Sequence, residues 1–354
     1  METKILQVKP DCVTPQELRD AGEILRRGGL VAFPTETVYG LGGDAMDAGA
    51  AAKIYEAKGR PSDNPLIVHI ADMDGLENLA KEIPDVARKF AEAFWPGPLT
   101  MIFKKQAEVP EGTTGGLDTV GVRMPEHPVA LALIRSAGRY IAAPSANASG
   151  RPSPTLAEHV KEDLDGRIDM IIDGGTVGIG LESTIVDVTG DVPLILRPGC
   201  ITAQMLEKVG GRVETDAAVL AQTPQKNVVA KAPGMKYRHY APRGEMTIVE
   251  GETPAVVHKI IELVEEKRQK MPEAKVAVVA SGETRGKYPP EILVVEAGSR
   301  EKEGDIAAHL YAVLRDLDTM DVQFIYAESF STDTMGQAIM NRMRKAAGYR
   351  ILRV

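Results

Sequence analysis

At 354 residues, with 44% hydrophobic and 26% charged side chains, the chain has a globular composition and the length of two domains, each able to bury its own core. No window approaches the ~18 consecutive apolar residues of a membrane span. The net charge of -8 argues against a whole-protein electrostatic grip on nucleic acid, so a polyanionic ligand must be met by a local cluster of cations.

The opening METKILQVKPD has no apolar h-region and no small-residue cleavage pattern, so the expected compartment is the cytosol. Thr14 reads as a helix N-cap, with Pro15 at the first helical position, Glu17 closing a capping box and Gly28-Gly29 ending the helix. LVAF (30–33) follows as a buried strand. PTETVYGLGGDA (34–45) reads as a long connection, an Ala-rich helix spans 48–58, and LIVHI (66–70) is short enough for a strand. Further helices are expected near 84–94, 128–137 and 155–163. Strands are expected near 99–103, 120–124, 139–143, 169–173, 184–188 and 193–197. Several of these are joined by connections too short for a crossover helix, so the α/β domain, taken to residue 205, should carry a mixed twisted sheet.

Residues 206–244 read as an ordered linker; the stretch from 211 is rich in small, polar and basic residues, with three prolines and the large side chains of Met235, Tyr237, His239 and Tyr240. From 245 to 354 strands and helices alternate again: MTIVEG, helix 254–268, VAVVAS, ILVVEAG, helix 303–317, VQFIYAESF and helix 334–347. This pattern predicts a smaller Rossmann-like α/β domain. It lacks a G-x-G-x-x-G, and GETRGK (282–287) is one residue short of a P-loop and is followed by Tyr288. Cys12 and Cys200 are too few for a disulfide framework or a Cys-rich zinc site and read as packing residues.

The chemistry concentrates in the first domain. KGRPSDNPL (58–66) ends a helix in two cations, Lys58 and Arg60, and presents Ser62 and Asn64 in a Pro-bounded turn; cations at a helix C-terminus are also what the macrodipole favours. APSANASGRPSP (143–154) sets Ser145, Asn147, Ser149 and Ser153 among glycine and proline, exposing hydroxyl and backbone N–H donors of the kind a polyphosphate needs. The 34–45 loop alternates Thr35, Thr37 and Tyr39 before three glycines. Thr119 and Arg123, Ser183 and Thr184, and Arg197 lie on or beside strands, and in open α/β sheets the ligand crevice lies at strand ends.

The combination of KGRPSDNPL, SANASG-x-PS, PTETVYGLGGDA and the linker APGMKYRHYAP resembles the long form of the threonylcarbamoyl-AMP synthase family, with a YrdC-like N-terminal domain. The resemblance covers essentially the whole chain. It implies condensation of L-threonine, bicarbonate and ATP into threonylcarbamoyl-adenylate and pyrophosphate, a nucleotidyl transfer that feeds N6-threonylcarbamoyladenosine modification of tRNA. Carried over position by position, it implies that Lys58, Arg60 and Asn64 contact ATP, with Ser145, Ser153, Arg197 and Thr119 on the same side. Lys58 and Arg60 are the expected catalytic cations. Thr37, His69, Arg123, the main chain of Ala143, and Ser183 are implied on the threonine side. Tyr237, Arg238 and His239 are implied as an ATP-covering lid.

That chemistry brings two anions together in line at the α-phosphorus, and fixed cations offset their repulsion without reorganising. Arginine suits a two-pronged carboxylate contact, the role expected of Arg123. Mg²⁺ is expected to arrive with ATP; scattered histidines predict no metal held by the protein itself. A labile carbamate and adenylate call for exclusion of water, hence the lid. The expected partners are the small substrates and a downstream tRNA threonylcarbamoyl transferase, with no membrane. Two other readings are an RNA-binding protein without catalysis and a carbamoyl-adenylate-type transferase. The first conflicts with the acidic balance and the second with the absence of Cys pairs.

Overall fold

The strand and helix alternation folds into two separate sheets, seen in a computed structural model that describes residues 2–220, 232–233 and 240–354. Contacts divide these into two units. One contains 2–149, 153–220 and 232–233; the other contains 150–152 and 240–354.

The first unit's strands are β1 (Lys4–Gln7), β2 (Val31–Phe33), β3 (Gly40–Asp44), β4 (Ile67–His69), β5 (Leu99–Lys104), β6 (Thr119–Arg123), β7 (Ile141–Ala142), β8 (Met170–Asp173), β9 (Thr184–Asp187), β10 (Leu194–Arg197) and β11 (Glu214–Thr215). They pair in the order β1-β8-β2-β3-β7-β4-β6-β5-β9-β10-β11. Parallel pairs such as β4 with β6 sit beside antiparallel ones such as β5 with β6, so the sheet is mixed, as the short connections require. Its two faces are both covered. Val31 and Phe33 enter one buried cluster, with Leu25, Leu133 and Ile172, whereas Ala32 enters another with Leu41, Ile54 and Val68. That split is the period of two of a strand.

Two sequence expectations change. The capping box forms, with Glu17 Oε2 accepting from Thr14 N at 2.8 Å and from Thr14 Oγ1 at 2.9 Å. Yet residues 15–18 are turns, and the regular helix is Arg19–Arg26. The expected loop 34–45 is also half strand, because Gly40–Asp44 pairs antiparallel with β2, Val31 opposite Gly42. Glycines disfavour a strand by propensity, but here close approach decides. A Cβ on Gly42 would stand 2.7 Å from Ile141 Cγ2 and 2.9 Å from Phe33 Cε1.

The helix Ala48–Lys58 starts where Asp47 Oδ1 accepts from Gly49 N at 2.8 Å and stops at Gly59, whose φ of 60° suits a residue without a Cβ. Its last residue is thereby delivered to the site.

In the second unit, β12 (Glu245–Glu250), β13 (Val276–Ser281), β14 (Leu293–Gly298), β15 (Phe324–Glu328) and β16 (Ile351–Arg353) form a wholly parallel sheet in the order β14-β13-β15-β12-β16. Helices Thr253–Lys270, Glu303–Thr319 and Gly336–Ala346 connect them, the Rossmann-like pattern expected. The closing strand β16 has no counterpart in the sequence reading. Among the described residues no helix is long and apolar enough to cross a membrane.

Candidate active site

Lys58 is 3% exposed. Its ammonium donates to the carbonyls of Ser145 and Asn147 and reaches Asn147 Oδ1 at 3.4 Å, while Ser149 N donates to Lys58 O at 2.8 Å. The helix end and the Ser/Asn loop are therefore one assembly. The loop is held on its other side too: Ala146 N donates to Tyr39 O, and Leu41 N to Pro144 O, each at 2.8 Å. Ser145 Oγ donates to Asn147 Oδ1 at 2.5 Å.

Arg60 folds over its own turn, Nη2 donating to the carbonyls of Asn64 and Pro65 at 3.1 Å. Tyr55 also donates to Asn64 O, and burial, opposed by the nearby Arg60, pushes its phenol up to about 12. The Asn64 side chain is 1% exposed, and neither its Nδ2 nor its Oδ1 has a hydrogen-bond partner among the described residues. Buried side-chain polar groups are in the large majority hydrogen-bonded, so Asn64 stands out in this turn.

Two buried arginines anchor other parts of the sheet. Arg197, 4% exposed, donates from Nε to Ser183 O at 3.0 Å, from Nη2 to Ser183 Oγ at 3.1 Å, and from Nη1 to Pro233 O at 3.4 Å. Ser183 Oγ in turn shares a hydrogen with Thr100 Oγ1 at 2.8 Å. Ala232, fully buried, packs with Ile67, Ile102, Ile185 and Leu196, and Thr119 lines a small crevice with Pro65, Gly121 and Pro233. Ser153, also fully buried, donates to Glu182 Oε1 at 2.5 Å.

Arg123, 4% exposed, closes β6 opposite His69 on β4. Its Nε donates to Gly97 O at 3.4 Å and its Nη1 to Thr37 Oγ1 at 3.0 Å, while Nη2 lies 2.6 Å from Glu36 Oε1. Thr37 is oriented by Thr35, their hydroxyls 2.8 Å apart. His69 donates from Nδ1 to Ile67 O at 3.1 Å, and burial, reinforced by Arg123, pushes its pKa down to about 3. It is a neutral imidazole at physiological pH. Ala143 follows β7 and donates its N–H to Ile67 O at 2.8 Å.

The structure thus brings Thr37, His69, Arg123 and Ala143 together around β4, β6 and β7. Lys58 joins Ser145, and Ser183 joins Arg197. Arg60 and Asn64 share one turn, while Thr119 and Ser153 lie in their own surroundings. Tyr237, Arg238 and His239 lie outside the described residues. The sequence reading passed over Glu36, Thr100 and Glu182. Glu36 carried a readable signal, being the one charged residue between Arg27 and Asp44.

Comparison with known proteins follows the same two-part division. The family model Sua5_yciO_yrdC, described as telomere recombination, matches residues 23–199, and the threonylcarbamoyl-AMP synthase C-terminal domain model matches 201–348. The chain is 49% identical over 338 residues to threonylcarbamoyl-AMP synthase of Pyrococcus abyssi, covering 96% of each chain. It is 49% identical over 339 residues to the Bacillus subtilis protein of that name, covering 95% of this chain and 94% of the relative. The crystal structure of P. abyssi Sua5 complexed with L-threonine superposes with a TM-score of 0.92 at 48% identity, covering 99% of this chain and all of that one. Matched in both halves and along nearly its whole length, the chain belongs to the threonylcarbamoyl-AMP synthase family in its two-domain form.

Proposed function

We propose that this chain is an L-threonylcarbamoyladenylate synthase. The threonine ammonium gives up a proton to solvent, and its nitrogen bonds to the bicarbonate carbon with loss of water to give a carbamate; a carbamate oxygen then bonds to the α-phosphorus of ATP as the bond to pyrophosphate breaks. The observation that carries this reading is the buried Arg123, fixed by Thr37 and Gly97 beside the neutral His69. A guanidinium placed there suits the carboxylate of a small amino acid, and the similar P. abyssi protein is described in complex with L-threonine.

In this reading Thr37, His69, Arg123, Ala143 and Ser183 hold threonine. Arg60, Asn64, Thr119, Ser145, Ser153 and Arg197 hold ATP, with the Asn64 amide, which has no partner among the described residues, a ready nucleotide contact. Lys58 holds the Ser145–Asn147 loop in shape and adds its charge to the phosphate side. Lys58, Arg60 and Arg197 offset the charge gathering on the leaving pyrophosphate. Mg²⁺ enters as the ATP complex. Tyr237, Arg238 and His239, which lie outside the described residues, are assigned to the nucleotide by the family resemblance alone. The adenylate passes in the cytosol to a transferase that modifies tRNA.

Purified protein is expected to release pyrophosphate from ATP only when both L-threonine and bicarbonate are present. Release indifferent to threonine, or none, refutes the proposal; an RNA-binding protein without catalysis would give none.

A further inference from the structure

Glu36 is 9% exposed, although the chain around it carries no other charge for several residues on either side. Its backbone is pinned where Ile179 N donates to Glu36 O at 2.8 Å and Gly180 N to Thr37 O at 3.0 Å. One carboxylate oxygen, Oε1, lies 2.6 Å from Arg123 Nη2. By hydrogen-bond geometry neither Oε1 nor Oε2 has a partner among the described residues. A pair built only to neutralise a buried arginine would gain by satisfying both oxygens, since a buried carboxylate accepts at each of them.

The guanidinium is also incompletely used. Gly97 O takes Nε–H and Thr37 Oγ1 takes one Nη1 hydrogen, while Nη2, although close to Glu36 Oε1, makes no hydrogen bond among the described residues, leaving donors on both terminal nitrogens for a second acceptor. Side by side, then, stand a held cation with donors to spare on both terminal nitrogens and a held anion whose carboxylate has acceptor capacity to spare. His127 lies within electrostatic reach of Glu36, and burial lowers its pKa, so near neutral pH it adds no cation to compete there.

We propose that Glu36 and Arg123 form a socket for a zwitterion, Arg123 taking the α-carboxylate of the amino-acid substrate and Glu36 Oε2 its α-ammonium. This rests on the placement of threonine at Arg123 and adds what arginine alone cannot supply. A carboxylate clamp accepts any small acid. A cation and an anion fixed beside each other select a molecule whose ammonium and carboxylate share one carbon, and a substrate lacking the ammonium leaves Oε2 unpaired.

The test compares L-threonine with (R)-3-hydroxybutyrate, which keeps the carboxylate and hydroxyl but has no ammonium, by calorimetric titration of the full-length protein. The parent is expected to bind threonine at least about 100-fold more tightly. Affinities within about threefold overturn the proposal without any variant. Glu36→Gln, close in size, should weaken threonine at least about 10-fold and 3-hydroxybutyrate little, shrinking the preference; Glu36→Asp should recover part of it. An equal loss for both ligands makes Glu36 a structural prop and also overturns the proposal. Arg123→Lys should weaken both ligands. If it changes neither, the amino acid does not sit at Arg123, an outcome distinct from failure of the Glu36 contact.

Discussion

Replacing Lys58 by Met removes the ammonium while keeping a long apolar stem in a position only 3% exposed. In the parent that ammonium donates to two main-chain carbonyls, Ser145 and Asn147, and a hydrogen bond from a charged group contributes about 1.5–3 kcal/mol. Both carbonyls lose a buried partner at once, so with partial relaxation the loss is on the order of 3 kcal/mol. For a unit of roughly 200 residues each kcal/mol moves the midpoint by about 2–4 °C, giving a fall of about 6–12 °C in Tm. Differential scanning calorimetry of parent and Lys58→Met, with circular dichroism at 20 °C or so to establish that both begin folded, measures it. A Tm within about 2 °C of the parent refutes the stapling role, whatever happens to turnover.

Three further outcomes are expected. Arg60→Ala should cut threonine-dependent pyrophosphate release at least about 100-fold with an unchanged far-ultraviolet spectrum; near-parental release removes Arg60 from the site. His69 stays neutral in the folded protein down to about pH 3, whereas the unfolded histidine protonates near 6.5. Between those values the unfolded chain binds more protons, so stability falls as pH falls, by up to about 1.4 kcal/mol per pH unit. Urea midpoints from pH 7 to 4 should therefore decline less steeply in His69→Gln, and parallel declines would contradict the buried neutral imidazole. Ala232→Asp sets a carboxylate among Ile67, Ile102, Ile185 and Leu196, where ionisation is costly, and should expel 232–233 from its seat. Pyrophosphate release should drop at least about 10-fold while the Tm changes by less than about 3 °C; unchanged turnover would make that segment a tether.

Much of the fold could be read from punctuation and period. Asp47 and Gly59 mark the ends of the helix that carries Lys58, and Pro128 and Gly138 bound another. Gly40–Asp44 escaped because glycine lowers strand propensity, while the reason for Gly42, the nearness of Ile141 and Phe33, is tertiary. Thr14 and Glu17 formed their box without starting a regular helix at once, since the pairing satisfies local donors but does not fix where the i to i+4 ladder begins. At the site, residue types and loop composition drew attention to Lys58, Arg60 and Arg123. The alternation Thr35, Thr37, Tyr39 hid the residue between, because a glutamate in such a pattern reads as solvent-facing. Its main chain is held by Ile179 and that of Thr37 by Gly180, more than a hundred positions away.

The two-sided burial of β2 carries a consequence for how this protein can change over evolution. Val31 and Phe33 face one core and Ala32 the other, so a single inserted residue would exchange those faces. The same insertion would turn the following Pro-Thr-Glu-Thr segment by half a period and carry Glu36 and Thr37 out of reach of Arg123. A strand of three residues therefore sets the frame for both the packing of the sheet and the contacts of Glu36 and Thr37 with Arg123. Lineages are expected to tolerate length changes in surface connections while keeping the spacing from Val31 to Gly40 fixed.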